Sequence, residues 1–79
     1  MWTREKDLIT LSECSTYNFA YLKDIRLKNH LILIEKYEHV PTYDVKLLNY
    51  NGTNCIDWFK NLYPFDCFNI VEELIYNYK

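Results

Sequence analysis

The sequence predicts an α+β fold: an antiparallel sheet of three to four strands, followed by two C-terminal helices packed on one of its faces. Three observations lead there. Residues 66–78 carry apolar side chains at helical spacing. Residues 30–38 and 43–50 read as a pair of strands joined by a turn. Between strands and helix, residues 53–63 repeat Ile56, Phe59 and Tyr63 at a spacing that also suits a helix. At 79 residues the chain is expected to form one domain, 1–79, near the lower size at which a single core sustains itself.

The N-terminal third favours strands. Residues 8–11 form a short apolar run, and Tyr17, Phe19 and Tyr21 alternate as strand residues do, although Tyr21, Leu22 and Ile25 also suit a helix. His30–Glu38 is rich in side chains that fit a pleated surface, and its run Leu31–Ile34 predicts a central strand covered on both faces. His39-Val40-Pro41-Thr42 is a turn, because proline fixes its own φ and biases Val40 toward extended backbone. Asn51-Gly52 has two readings. It either turns a hairpin into a returning strand or ends the strand before a short helix capped by Thr53 or Asn54; the helix is preferred. In the last element Cys67, Ile70, Val71, Leu74, Ile75 and Tyr78 share one helical face, with Asp66 as N-cap and Pro64 just outside.

Fourteen residues are aromatic, eight of them tyrosine, against a single glycine, Gly52. A domain this small has no room to bury fourteen rings, so some are expected at the surface, where tyrosine and tryptophan favour recognition. The scarcity of glycine argues against a phosphate-cradling loop.

The formal charge is −2, and the acidic excess lies in residues 41–79. A nucleic-acid-binding surface normally concentrates cations, and the only local cluster is Lys23, Arg26 and Lys28, diluted by Asp24. Cys14, Cys55 and Cys67 make an odd set without Cys-x-x-Cys spacing, the pattern of free thiols in a reducing compartment. The N-terminal residues are charged and lead into no apolar segment, so the expected location is the cytoplasm, away from the membrane.

Catalytic chemistry finds little footing. His30 and His39 belong to no metal-binding spacing, and Cys67 falls on the apolar face of its helix, where packing explains it better than nucleophilicity. No catalytic residue, metal or cofactor is expected, and the chain reads as a non-enzyme.

What remains is an aromatic stretch with a polar border: Trp58, Phe59, Tyr63, Phe65 and Phe68 beside Asp57, Lys60 and Asp66. Rings framed by polar groups have the anatomy of an interface, and half of them are expected to serve the core. The expected partner-binding residues are Tyr37, Tyr43, Tyr50, Asp57, Trp58, Tyr63 and Asp66. The corresponding function is a non-enzymatic, protein-binding module that inhibits or sequesters a protein target. An immunity protein for a nuclease-type toxin, or a phage-type inhibitor of a host system, fits the size, the tyrosine load and the mild acidity, which complements a basic nuclease. The alternative is a small dimeric nucleic-acid-binding regulator using Lys23, Arg26 and Lys28, and a homo-oligomeric structural protein is a third reading.

Overall fold

The computed structural model describes residues 18–22, 24, 26–37 and 40–79. The expected strand at residues 8–11 lies outside them, as do Lys23 and His39. Four strands, β1 (Asn18–Leu22), β2 (His30–Lys36), β3 (Tyr43–Asn49) and β4 (Cys55–Leu62), form one sheet in the order β1-β2-β3-β4. Every neighbouring pair is antiparallel. Among the described residues one helix, α1 (Pro64–Tyr78), follows and packs on one face.

The core between sheet and helix follows from strand alternation. Ile32 and Ile34 on β2 and Val45 and Leu47 on β3 are all 0% exposed. They meet Cys67, Val71, Leu74 and Ile75, the buried stripe of α1, with Leu22 and Leu27 closing one side. Each fully buried aliphatic side chain contributes about 1.5–3 kcal/mol relative to exposure. Leu31 and Leu33 point to the opposite face and are only half-buried, so the Leu31–Ile34 run is covered by the helix on one side alone.

The second helix expected over 53–63 is a strand. Of the spaced Ile56, Phe59 and Tyr63 only Phe59 packs against the core, and the β3–β4 register carries two irregularities. Tyr43 pairs with Leu62 but Val45 pairs with Phe59, so two steps on β3 match three on β4. Phe59 and Leu62 therefore face α1 together although they are three residues apart, which a regular strand forbids. Asn61, at φ 57, takes up the extra residue. The other irregularity sets Leu47 opposite Asp57 and Leu48 opposite Cys55, leaving Ile56 between them.

The β3–β4 connection is closed by Asn49. Its backbone N–H donates to the Asn54 carbonyl at 3.1 Å and its carbonyl accepts from Gly52 N–H at 3.0 Å. Its side-chain carbonyl accepts from Asn54 N–H at 3.0 Å, and its amide donates to Thr53 Oγ1 at 2.9 Å. Gly52 sits at φ 75, a conformation other residues rarely hold. Thr53 and Asn54 thus belong to the hairpin loop and cap no helix.

Helix α1 begins three residues earlier than the sequence suggests, its N-cap being Tyr63 rather than Asp66. Tyr63, extended at φ −70 and ψ 161, is the N-cap without a side-chain cap bond, and its carbonyl accepts the first helical bond from Cys67 N–H at 2.8 Å. Pro64 lies inside the helix, where its fixed φ is already helical and its missing N–H costs nothing. Asp66 occupies the first turn, favourable to the helix dipole, and does not cap.

Candidate functional site

Nine rings among the described residues are more than a third exposed: Phe19, Tyr21, Tyr37, Tyr50, Trp58, Tyr63, Phe65, Tyr76 and Tyr78. Of the expected partner-binding set, Tyr43 is the exception. It is 1% exposed, pairs with Leu62 and packs into the core, so its ring is structural and unavailable to a partner. Alternation places Tyr43 on the same face as Val45 and Leu47, and that face is the one the helix covers.

The other six do not form one surface. Tyr37 and Trp58 lie on the sheet face turned away from α1. Tyr63 and Asp66 flank the start of the helix, both exposed. Tyr50 sits in the hairpin loop at the opposite end of β3, against Leu27, Lys28, His30 and Leu31. Asp57 belongs to the helix side of β4, where it lines a groove with residues of α1.

The helix-free face of the sheet carries the densest constellation. Strand pairing sets Tyr21, Leu33, Lys46 and Trp58 in one row across all four strands. A second row sets Phe19, Glu35 and Asp44 side by side. Phe19 and Tyr21 meet edge to face, with ring centroids 5.6 Å apart. Glu35 and Asp44 are buried and directly opposed, an arrangement that is unfavourable unless each carboxylate has its own partner.

Each has one. The Lys46 ammonium lies 2.8 Å from Glu35 Oε1, and the Tyr37 hydroxyl donates to Glu35 Oε2 at 3.4 Å. Asp44 Oδ2 accepts from the Trp58 indole N–H at 3.2 Å, while Oδ1 accepts from Asn61 N–H at 3.1 Å and so ties down the bulge. The hydrogen-bonded Glu35 carboxylate raises the Lys46 ammonium above its ordinary pKa. Burial, followed by the nearby Glu35 charge, raises the Tyr37 phenol.

Trp58 is therefore held from several sides while 45% of it faces solvent. Its nitrogen is fixed by Asp44, and the ammonium groups of Lys46 and Lys60 lie 4.4 and 4.0 Å from its ring. Sequence reasoning singled out Trp58 and Tyr37 but not Phe19, Tyr21, Glu35, Asp44 or Lys46 beside them. The alternation of Phe19 and Tyr21 was the available signal; the row itself depends on the register of three strand pairs.

The groups considered for catalysis are placed otherwise. Cys67 is fully buried and its thiol is pushed up to about 12 by burial. His30 packs edge to face on Tyr78, with centroids 4.9 Å apart, and its Nδ1 is buried. Among the described residues, no group of three or more His, Cys, Asp and Glu side chains is arranged to hold a metal. Arg26, part of the expected basic cluster, is bound to Asp24 through Nε and Nη2, each at 2.8 Å, and approaches Glu72 at 3.9 Å. No described helix is long and apolar enough to cross a membrane.

No protein family, curated protein or solved structure matches the chain.

Proposed function

We propose that this chain is a non-enzymatic, cytoplasmic protein-binding module that inhibits or sequesters a partner protein by covering its active surface. An immunity protein for a nuclease-type toxin and a phage-type inhibitor of a host system are the two settings that suit it. The observation that carries the reading is the half-exposed Trp58, immobilised by Asp44 and two lysines on a sheet face bordered by Phe19, Tyr21 and Tyr37. An anchor already held in place loses little side-chain entropy on binding, and tryptophan is the residue most enriched among interface hot spots. The inward placement of Cys67 and the stacking of His30 on Tyr78 favour binding over catalysis.

The test is retention of a protein by the tagged chain in extracts of the cells that make it, followed by assay of that protein with and without the chain. Trp58→Ala is expected to weaken retention by about thirtyfold or more, the scale of a hot spot of 2 kcal/mol, while the chain stays folded with a lowered melting point, because Asp44 keeps its Asn61 donor but loses the indole. Equal retention by both chains, or undiminished activity of the retained protein, overturns the reading.

A further inference from the structure

On the helix side of β4, opposite the face that carries Trp58, lies a groove of about 250 Å³. Its apolar lining comes from Phe59 on the strand and from Ile70, Leu74 and Tyr78 on the helix, with Asn77 beside them. Its polar groups include two carboxylates, Asp57 and Glu73, both on exposed residues. No cation is paired with either among the described residues: Arg26 is engaged by Asp24 and Glu72, and Lys46 by Glu35. Asp57 uses Oδ1 to accept the N–H of Trp58 at 3.0 Å, which fixes that carboxylate against its own strand.

We infer that this groove receives an arginine side chain of a partner protein. The volume is below the roughly 300–1,000 Å³ of small-molecule sites, so it suits one long side chain better than a cofactor. Two carboxylates without a cation partner among the described residues, beside the apolar side chains of Phe59, Ile70 and Leu74, ask for a cation with an apolar stem. Arginine supplies both, and its planar guanidinium can donate to two carboxylates at once. Lysine offers the stem and the charge without the plane. The carboxylates come from different elements, so the groove exists only once α1 is docked on the sheet. The inference rests on the protein-binding reading for the source of the arginine, whereas the chemistry of the groove stands apart from it.

The experiment is an NMR titration of the ¹⁵N-labelled chain at low salt. The probes are N-acetyl-arginine methylamide, its lysine analogue, and the citrulline analogue, which keeps the shape of arginine without its charge. Saturable shifts are expected at the amides of Asp57, Phe59, Glu73 and Leu74 with the arginine probe. Binding of the citrulline probe, and arginine binding by the Asp57→Asn/Glu73→Gln double variant, should each be at least about tenfold weaker. The double variant is expected to keep the wild-type spectrum elsewhere.

No saturable shift in the groove overturns the inference, as does equal binding of citrulline or of lysine. Shifts spread evenly over other exposed carboxylates, such as Asp66, overturn it too, because they report general attraction of cations. Failure of the retention assay alongside a positive titration removes the protein-binding reading and leaves the groove assignment in place.

Discussion

Asp44 and Trp58 are fourteen positions apart, and the indole N–H of one donates to the carboxylate of the other at 3.2 Å across the β3–β4 pair. The remaining oxygen of Asp44 takes the Asn61 N–H, so one buried carboxylate both orients the exposed ring and holds the bulge that ends the strand. Asp44→Ala removes both acceptors. It is expected to lower stability by about 1–3 kcal/mol, as loss of bonds to a charged group does, and Asp44→Asn by less. In a Trp2→Phe background, the emission of Trp58 should shift to the red in Asp44→Ala. Unchanged emission and an unchanged urea midpoint would refute this account of the ring's placement.

Leu74 is 4% exposed on the buried stripe of α1, whereas Tyr76, two residues on, is 69% exposed. Leu74→Asp sets an unpaired charge among Val71, Ile75 and the sheet, and the expected result is loss of the cooperative melting transition. Tyr76→Asp should stay within about 0.5 kcal/mol of the parent. Thermal melts followed by circular dichroism distinguish the two.

Cys55 is exposed at the start of β4 and Cys67 is buried with its thiol raised to about 12. In a Cys14→Ser background, a thiol-specific chromogenic reagent should label Cys55 at once and Cys67 only when the chain unfolds. Two rapidly reacting thiols in the native protein would place Cys67 outside the core.

The Arg26 guanidinium holds the Asp24 carboxyl down from its ordinary 3.8 to about 2. A folded pKa below the unfolded one stabilises the protein above pH 3.8, and that contribution disappears as pH falls through 2. Because the guanidinium is 41% exposed, solvent screening reduces the effect on Asp24 to the order of 1 kcal/mol. Arg26→Gln should therefore be less stable than the parent at pH 6, with the gap narrowing below pH 3.8. A gap that stays constant down to pH 2 would mean the pair does not couple to folding.

The sheet was legible where alternation is undisturbed. β2 and β3 have no irregularity in their mutual register, and their ends lie within two residues of those expected from sequence. β4 was misread because Ile56, Phe59 and Tyr63 recur at helical spacing, whereas only Phe59 of the three packs against the core and Ile56 and Tyr63 are exposed. Nothing local announces a bulge held by a carboxylate seventeen residues away. The surplus of rings was legible as composition, and nine exposed aromatic residues answer to it. Their grouping was not, because Tyr43 and Tyr37 look alike in sequence and differ only in which side of the sheet they occupy. The groove was equally hidden, since Asp57 and Glu73 come to line it together only through the packing of α1 on the sheet.

The two irregularities of β4 bear on how such a ring-laden surface stays out of trouble. β4 ends the sheet among the described residues, and an unbroken terminal strand would offer a ladder to any extended peptide. Kinks at Ile56 and Asn61 interrupt that ladder. Edge-to-edge pairing along β4 is thereby discouraged, and a visitor cannot simply add a strand beside it. Whatever docks there must be read by shape and charge, one side chain at a time.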